Sequence, residues 1–348
     1  MNKVTIKDIA KLAGVSIGTV DRVLHNRGRV SDDTKTRILS IIEETGFTLD
    51  FMASRLKQKN NVTYGVIMPN LDQDSGYWQL CYNGFKEAEK DLNPLGVSVK
   101  FFHFNRFDEV NIQDTLNLAS ELNLSGYILA PVRPSLFKSA IREGKLGRNI
   151  ILFDSNLPGI EQEIELETFC YIGLDDYQSG KLAGRLLHLL IDEKAHVIVV
   201  DISEKDNHLK ERINGFCQFF TKNPDKRVFS VIGSDTDNLK DAQLLIEPFF
   251  RNPSHEQPGL FVPNATTHLY VSACEALGYK EIKVVGYDVV ESNKQMLKDG
   301  RIEFILSQRP AVQAIFALQN MHRSQGLKQH IDDKVLLPVD IITKENLH

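Results

Sequence analysis

The stretch Val4–Asn26, VTIKDIAKLAGVSIGTVDRVLHN, has the pattern of two short helices joined by a glycine turn. Thr5 is able to cap the first helix, and apolar residues then recur at helical spacing. Gly14 stands where the chain must turn sharply, and Ser16 is able to cap a second helix that continues to Leu24. The stretch therefore predicts a helix-turn-helix whose polar face is left exposed.

A third helix is predicted directly after this pair. Ser31 is in position to cap it, Ile38 and Ile41 recur on one face, and Gly46 ends it. Three helices of this length bury only a small core. We therefore expect residues 1–46 to form a small all-α domain whose outward residues are available for binding.

The exposed face of the second helix has two interpretations. An amphipathic helix pair with a solvated face is the commoner case for an isolated pattern of this kind. The alternative is a recognition helix, which inserts its first residues into the major groove of DNA. The candidates outside the apolar stripe of this helix are Ser16, Ile17, Gly18, Thr19, Asp21 and Arg22.

The first 60 residues resemble the lac-repressor family of bacterial regulators, both in the three-helix order and in the segment Ala53–Leu56, ASRL. The resemblance implies that the candidates above contact DNA, together with Thr5 and Asn26. Asp21 departs from the family, which usually has a small hydroxyl residue before its Arg-Val pair. A carboxylate there either repels phosphates or accepts an amino hydrogen of cytosine, so the base preference stays open.

Residues 47–61 are predicted to link this domain to the rest of the chain. Within them Met52–Gln58 could form one or two helical turns, too few to be stable alone in water. The resemblance implies a hinge that folds on operator DNA, pairs with its dimer mate and inserts Leu56, which follows Ala53, into the minor groove. A plain exposed linker is the alternative, and Leu49–Asp50 replaces the usual Pro-Asn pair of the family.

Composition excludes several classes of protein. The chain has 348 residues, 42% hydrophobic and 25% charged, which is ordinary for a soluble protein of two or three domains. No stretch approaches the roughly 18 apolar residues of a membrane span, and the start lacks the apolar core of a secretory signal. We expect a cytoplasmic protein that does not enter the membrane. Its four scattered cysteines are expected to be buried free thiols: Cys81, Cys170, Cys217 and Cys274.

The two parts of the chain carry opposite charge. Residues 1–60 contain 11 Lys and Arg against 7 Asp and Glu, a net charge of +4. The remainder contains 30 against 39, a net charge of −9. The basic end is therefore the expected nucleic-acid end, and the acidic balance of the whole argues against coating of DNA regardless of sequence.

From Thr63 onward, strand-like runs alternate with amphipathic helical patterns, which predicts parallel sheets with right-handed crossovers. We expect an α/β core over residues 62–348, in two doubly wound parallel-sheet lobes. Lobe 1 is placed at about 62–174 and 309–326, and lobe 2 at about 175–308 and 327–348. The predicted strands are Tyr64–Met68, Val97–Phe104, Tyr127–Ala130, Ile150–Phe153, Val197–Asp201, Val228–Ile232, Leu260–Val262 and Lys283–Gly286, with a further strand-like run at Leu336–Ile342.

Several polar and aromatic residues stand at the ends of these predicted elements, where ligands bind in folds of this class. Any one of them alone is more often a turn former or a helix cap. Together they offer paired carboxylates, a planar cation, two amides and two rings for the apolar face of a sugar. They are Tyr77, Trp78, Asp154, Arg212, Asn264, Asp288 and Gln308.

Residues 62–345 resemble the periplasmic sugar-binding fold that forms the core of lac-repressor-family proteins. The resemblance implies that five of these positions contact the effector, and the aromatic pair resembles the ring-stacking aromatics of the ribose-binding type. Two departures stand near them. Asn264–Ala265 replaces Asn-Asp, which removes a helix-capping acid, and Asp175–Asp176 replaces Asp-Asn, which alters a possible hydrogen bond in the cleft.

Catalysis and metal binding fit the sequence poorly. It contains no HExxH and no GxSxG, and Asp235–Asp237 lacks the glycine and final glutamate of a calcium loop. We expect no cofactor and no metal. A transport binding protein and an enzyme on the same core remain the alternatives. The favoured interpretation is a homodimeric regulator that binds near-palindromic operator DNA under the control of a sugar or sugar derivative.

Arg22 and Leu56 are predicted to contribute to DNA binding in different ways. Arg22→Ala removes a cation near the backbone or a guanine, so it should weaken binding and reduce the salt slope by about 1. Leu56→Ala removes an apolar wedge, so it should reduce DNA bending more than the salt slope. Salt-dependent anisotropy and a bending assay measure the two effects, and equal bending by wild type and Leu56→Ala would contradict the wedge.

Overall fold

Three short helices form the N-terminal unit. Gly14 adopts the left-handed conformation between the first two, with φ 63°, and the Thr19 amide donates to Ser16 Oγ over 3.2 Å at the start of the second. The first helix therefore ends, and the second begins, at the turn residues that the sequence predicts. The helices are α1 (Ile6–Leu12), α2 (Ile17–Leu24) and α3 (Asp32–Thr45), and their buried core is Ile9, Ala10, Ala13, Val20, Val23 and Ile38.

The chain divides into two compact units, Met1–Lys59 and Asn60–His348. The structure is a computed structural model. It describes residues 6–24, 30–45, 61–192, 195–202, 206–221, 228–232, 238–250, 258–279 and 281–347.

The second unit is built from two six-stranded sheets flanked by helices. Buried strands such as β1 and β3 are almost wholly apolar, as expected for parallel strands covered on both faces. The elements of the first part are β1 (Val62–Pro69), α4 (Tyr77–Leu92), β2 (Val97–Phe104), α5 (Glu109–Ser120), β3 (Tyr127–Leu129), α6 (Pro134–Arg142), β4 (Asn149–Phe153), α7 (Ile160–Glu163) and β5 (Thr168–Gly173).

The remaining elements follow in chain order. They are α8 (Asp176–Leu190), β6 (Val197–Asp201), α9 (Asn207–Thr221), β7 (Val228–Ile232), α10 (Leu239–Phe250), β8 (Gly259–Phe261), α11 (Thr267–Ala276), β9 (Lys283–Tyr287), α12 (Glu291–Lys298), β10 (Phe304–Ser307), α13 (Pro310–Gln325), β11 (Lys334–Leu336) and β12 (Asp340–Ile342).

The strand order is β11-β5-β4-β3-β1-β2 in the first sheet and β12-β10-β9-β8-β6-β7 in the second. The chain passes between the sheets after β5, after β10 and after β11. Ligand sites in such folds lie where the carboxyl ends of strands from both sheets face a common cleft. The prediction of a doubly wound α/β core is confirmed.

The C-terminal segment departs from the predicted lobe boundary. Residues 327–348 were assigned to lobe 2, but Lys334–Leu336 pairs in parallel with β5 of the first sheet. Pro338 follows, which lacks an amide donor, and the chain then enters the second sheet as β12, antiparallel to β10. The single strand-like run is thus two strands in different lobes, and the second sheet is not wholly parallel.

Two further strands lie outside the predicted set. Thr168–Gly173 and Phe304–Ser307 pair in parallel inside the sheets. Both contain apolar runs, Phe169–Ile172 and Phe304–Leu306, that are as long as the runs of predicted strands, so the local pattern could have indicated them. Their register depends on neighbouring strands, which a local pattern does not contain.

Glycines bring α8 and α9 into backbone contact. A Cβ on Gly180 would lie 1.9 Å from the carbonyl oxygen of Arg212, and a Cβ on Gly215 would lie 1.9 Å from that of Tyr177. The backbones of α8 and α9 therefore lie in close contact, and this contact sets the position of Arg212 on α9.

Within the described residues, no helix is long and apolar enough to cross a membrane. The four cysteines carry free thiols; Cys81, Cys170 and Cys274 are buried and Cys217 is half-buried.

Gly180→Ala should destabilise the core, because the added methyl group meets backbone that has no rotamer to change. Overpacking of this kind costs about 1–3 kcal/mol or more. Urea denaturation measures the loss, with Gln178→Ala as the control, since Gln178 is exposed on the same helix. Equal stability of the two variants would contradict the close helix contact.

Candidate ligand-binding site

Two carboxylates from different sheets reach one buried region. Asp154 follows β4 in the first sheet and Asp288 follows β9 in the second. Both have left-handed backbones, with φ 65° and 63°, and both are almost fully buried. A non-glycine residue in this conformation is uncommon, and such residues concentrate at functional sites.

All seven ligand-binding candidates from the sequence line a single cavity with these carboxylates. Its volume is about 20 Å³, roughly room for one water molecule, because the polar side chains bond to one another across it. The other lining residues are Asp74, Arg106, Val132, His208, Leu209 and Ala265.

Arg212 is the cation of the second lobe. It lies within α9 rather than at a strand end, and its side chain is 1% exposed. Nε donates to Asp176 Oδ1 over 2.9 Å, Nη1 to the Pro263 carbonyl over 3.0 Å and Nη2 to Gln308 Oε1 over 2.8 Å. The guanidinium also stacks 4.4 Å from the ring centroid of Tyr287. Each nitrogen of the guanidinium therefore already donates to a protein acceptor, which accounts for three of its five N–H groups.

The two cavity carboxylates differ in their remaining capacity to accept hydrogen bonds. Tyr77 donates its hydroxyl to Asp154 Oδ1 over 2.6 Å, and Gln308 donates Nε2 to Asp288 Oδ2 over 3.0 Å. Asp288 Oδ1 is buried and has no hydrogen-bond partner among the described residues. A buried unsatisfied carboxylate oxygen is costly, and its position in a cavity indicates a place for a donor.

Burial raises the pKa of these acids. It raises the pKa of Asp154 to about 6, although the Tyr77 hydrogen bond and the Arg212 charge oppose it. Burial raises the pKa of Asp288 to about 7, opposed by Arg212 and assisted by the charge of Asp154. Strongly shifted acids in a cavity are characteristic of functional sites.

Gln313 connects the first-lobe carboxylate to the crossover after β10. Its Oε1 accepts from the Asp154 amide over 3.0 Å, and its Nε2 donates to the Gln308 carbonyl over 2.8 Å. The side chain is fully buried on α13. Gln313 is not among the residues predicted from the sequence, because a glutamine inside a helix carries no local signal of such a role.

A network of three charged side chains crosses the cleft. None of the three is among the residues predicted from the sequence. Arg106, after β2, pairs through Nη1 with Asp74 and through Nη2 with Asp206 Oδ2 over 2.6 Å. All three side chains are at most 9% exposed. Arg106 and Asp206 stand next to strand or helix ends, and that position is the signal that could have identified them.

Asn264 and the aromatic pair have structural partners as well. Asn264 Oδ1 accepts from the amide of Thr266 over 3.1 Å and from its hydroxyl over 2.7 Å, so it caps the turn before α11 itself. Trp78 donates Nε1 to Asp74 Oδ2 over 2.6 Å, and its ring packs edge-on against Tyr77. Ring stacking on a sugar stays a prediction for both aromatics.

The helix-turn-helix exposes a face at the start of α2. Ser16, Ile17, Gly18 and Arg22 are exposed and Thr19 is half-exposed, while the apolar stripe faces the three-helix core. Ile17 is 45% exposed at the start of this helix. The side chain of Asp21 is not among those described, and Thr5, Asn26, Ala53 and Leu56 lie outside the described residues.

No group of His, Cys, Asp and Glu in the described part of the chain is arranged to hold a metal ion.

Each of the two units matches a known protein family. Residues 64–328 match the periplasmic binding protein domain, and residues 5–49 match the lacI family of bacterial regulatory proteins. The HTH-type transcriptional regulator DegA of Bacillus subtilis is 24% identical over 99% of this chain and 98% of its own length. The ribose operon repressor of Bacillus subtilis is 25% identical over 82% of this chain and 81% of its own length. A solute-binding protein of Actinobacillus succinogenes solved with D-allose has a TM-score of 0.69 at 19% identity, covering 82% of this chain and 98% of its own.

The fold and the site define a DNA-binding protein with a ligand-binding core of the sugar-binding type. The chain belongs to the periplasmic binding protein domain family and, through its helix-turn-helix, to the lacI family of bacterial regulators. It is a DNA-binding transcriptional regulator controlled by a small molecule bound in the core, as the resemblance implied.

Asp288→Asn should stabilise the protein at neutral pH and above. A carboxyl whose folded pKa is raised contributes stability at low pH that is lost as pH rises from its ordinary value of 3.8 through about 7. The gain from Asn should therefore be roughly 2–4 kcal/mol near pH 8 and absent near pH 4. Denaturation across this range measures it, with exposed Asp299→Asn as control; a gain that did not depend on pH would contradict the burial cost.

Proposed function

We propose that a sugar bound between the two sheets controls the affinity of this regulator for operator DNA. Asp154 and Asp288 support the proposal, because they bring acceptors from opposite lobes into one cavity while Asp288 Oδ1 has no described partner. An ionised carboxylate only accepts hydrogen bonds, and vicinal hydroxyls are matched donors for a pair of them. A polyhydroxy ligand would therefore bond to both lobes at once.

The relatives support a sugar as the ligand. One is named a ribose operon repressor, and one solute-binding protein of the same fold was solved with D-allose. The cavity supplies what such ligands require, namely carboxylates and amides for hydroxyls beside the rings of Tyr77 and Trp78. The roles of the seven candidate residues as effector contacts are part of this proposal.

Control of DNA binding requires that the sugar favour one arrangement of the lobes. A ligand shifts such an equilibrium only by its difference in affinity for the two states, typically about 1–3 kcal/mol. In the arrangement described, the charge of Asp154 raises the pKa of Asp288, so the two anions repel across the cavity. Hydroxyl donors of a bound sugar between them would remove much of that penalty and favour the arrangement of the lobes that admits the sugar.

The functional unit is proposed to be a homodimer on a near-palindromic operator. One helix-turn-helix reads only a few base pairs, and dimers of such units bind half-sites about 34 Å apart. The linker at 47–61 would then carry Leu56 into the minor groove beside its dimer mate. A stable monomer in sedimentation with operator DNA at micromolar concentration would contradict the dimer.

The core is proposed to sense its ligand without transforming it. The relatives are transcriptional regulators and sugar-binding proteins rather than enzymes. Conversion of a bound sugar to product, followed by chromatography, would favour the enzyme instead.

Asp288→Asn and Asp154→Asn should bind operator normally and respond poorly to sugar. Each replaces a charge-assisted acceptor in one lobe, and hydrogen bonds to charged groups contribute about 1.5–3 kcal/mol, or roughly 10–100-fold in sugar affinity. Operator titrations with and without sugar measure the response, again with Asp299→Asn as control. If either variant responded at the wild-type sugar concentration, the two carboxylates would not form the ligand site.

A further inference from the structure

The cations of the ligand cavity are both neutralised by the protein. Among the described residues that line it, the only cationic side chains are Arg106 and Arg212, against the carboxylates of Asp74, Asp154 and Asp288. The lining therefore carries a net negative charge when the acids are ionised. Two more carboxylates, Asp176 and Asp206, lie directly behind the arginines.

The donors of the two arginines are directed at protein acceptors. Arg106 uses its terminal nitrogens on Asp74 and Asp206, from opposite sides of the cleft. Arg212 uses all three of its nitrogens on Asp176, the Pro263 carbonyl and Gln308. A phosphate needs charge-assisted donors of this kind, preferably a bidentate fork, and here protein carboxylates already balance the charge of each arginine.

Among the described residues, the remaining polar groups of the cavity do not supply another cation. Burial and the charges of Arg212 and Arg106 lower the pKa of His208 well below its usual value, so its imidazole is neutral. The first turns of α4 and α9 lie beside the cavity, and each helix terminus contributes only about half a positive charge. Asp74 and Asp206 already stand just before these two helices.

The accepting groups, by contrast, have unused capacity. Asp288 Oδ1 is buried at the cavity without a hydrogen-bond partner among the described residues. Asp154 Oδ1 accepts from a tyrosine hydroxyl, which is the same chemistry that a sugar hydroxyl offers. The cavity is therefore matched to ligands that donate hydrogen bonds and carry no negative charge.

We infer that the effector is an uncharged sugar, and that the cleft rejects the phosphate esters and acids of the same sugar. A phosphoryl group would bring a charge of about −1.5 to −2 into a lining whose acids outnumber its cations by three to two, in a medium that screens poorly. The inference rests on the proposed function, since it specifies which ligands that cleft takes.

Matched pairs of probes test the inference on the full chain with its operator DNA. The pairs are D-ribose and D-ribose 5-phosphate, D-allose and D-allose 6-phosphate, D-glucose and D-glucose 6-phosphate, and D-galactose and D-galacturonate. Calorimetry gives each Kd, and an operator titration shows whether the probe acts. We expect the charged member of an active pair to bind on the order of 100-fold more weakly, or not at all.

Asp176→Asn tests the physical cause. It removes the carboxylate that neutralises Arg212 while keeping an oxygen for the Nε hydrogen bond. We expect the ratio of the two Kd values to fall by roughly 10-fold, mainly through tighter binding of the charged probe. Asp299→Asn removes the same charge from an exposed site and should leave the ratio unchanged.

The outcomes separate the inference from the proposed function. A phosphate ester or acid that binds as tightly as its parent sugar and changes operator binding overturns the inference alone. An unchanged ratio in Asp176→Asn also overturns it, because pairing of Arg212 would not be the source of the selectivity. Failure of both members of every pair to change operator binding counts against the proposed function, and the inference falls with it.

Discussion

The buried guanidinium of Arg212 is the interaction on which the rest of the ligand site depends. It joins α9 to Asp176 at the start of α8, to Pro263 after β8 and to Gln308 after β10. Its charge opposes the burial cost of Asp154, Asp176 and Asp288. An isolated ionised carboxylate is expensive to bury, and three in one region require a fixed cation. The glycine contact between α8 and α9 sets the position of this cation.

The buried carboxylates of the site lower the free energy of unfolding even with that cation beside them. The raised pKa values of Asp154 and Asp288 show that burial outweighs the favourable contacts of each carboxylate. A protein selected only for stability would not keep Asp288 Oδ1 unpaired in its interior, and stability is commonly exchanged for function in this way. The carboxylates that are costly to bury are the groups that a hydroxylated ligand would satisfy.

Contacts with neighbouring residues explain two of the departures from the family pattern. Asp176, at the position predicted to alter a hydrogen bond in the cleft, pairs with Arg212. Ala265 removes a capping acid, but Asn264 caps the same turn through Thr266. The effect of Asp21 on DNA recognition depends on contacts with DNA, and its prediction stays open.

The sequence alone determined the helix-turn-helix, the alternating α/β core and seven of the thirteen residues that line the cavity. Gly14 and Ser16 act locally, and apolar periodicity and strand-end polar residues report burial and topology directly. Only the tertiary structure decided that Lys334–Leu336 joins the first sheet, that Gln313 supports Asp154 and that Arg106 pairs with Asp206 across the cleft. These contacts join residues from 100 to 163 positions apart in the chain, with the shortest and longest separations at Arg106–Asp206 and Tyr171–Lys334. No local pattern carries such pairings, because they depend on how two separately formed sheets pack and on which buried charges then find partners.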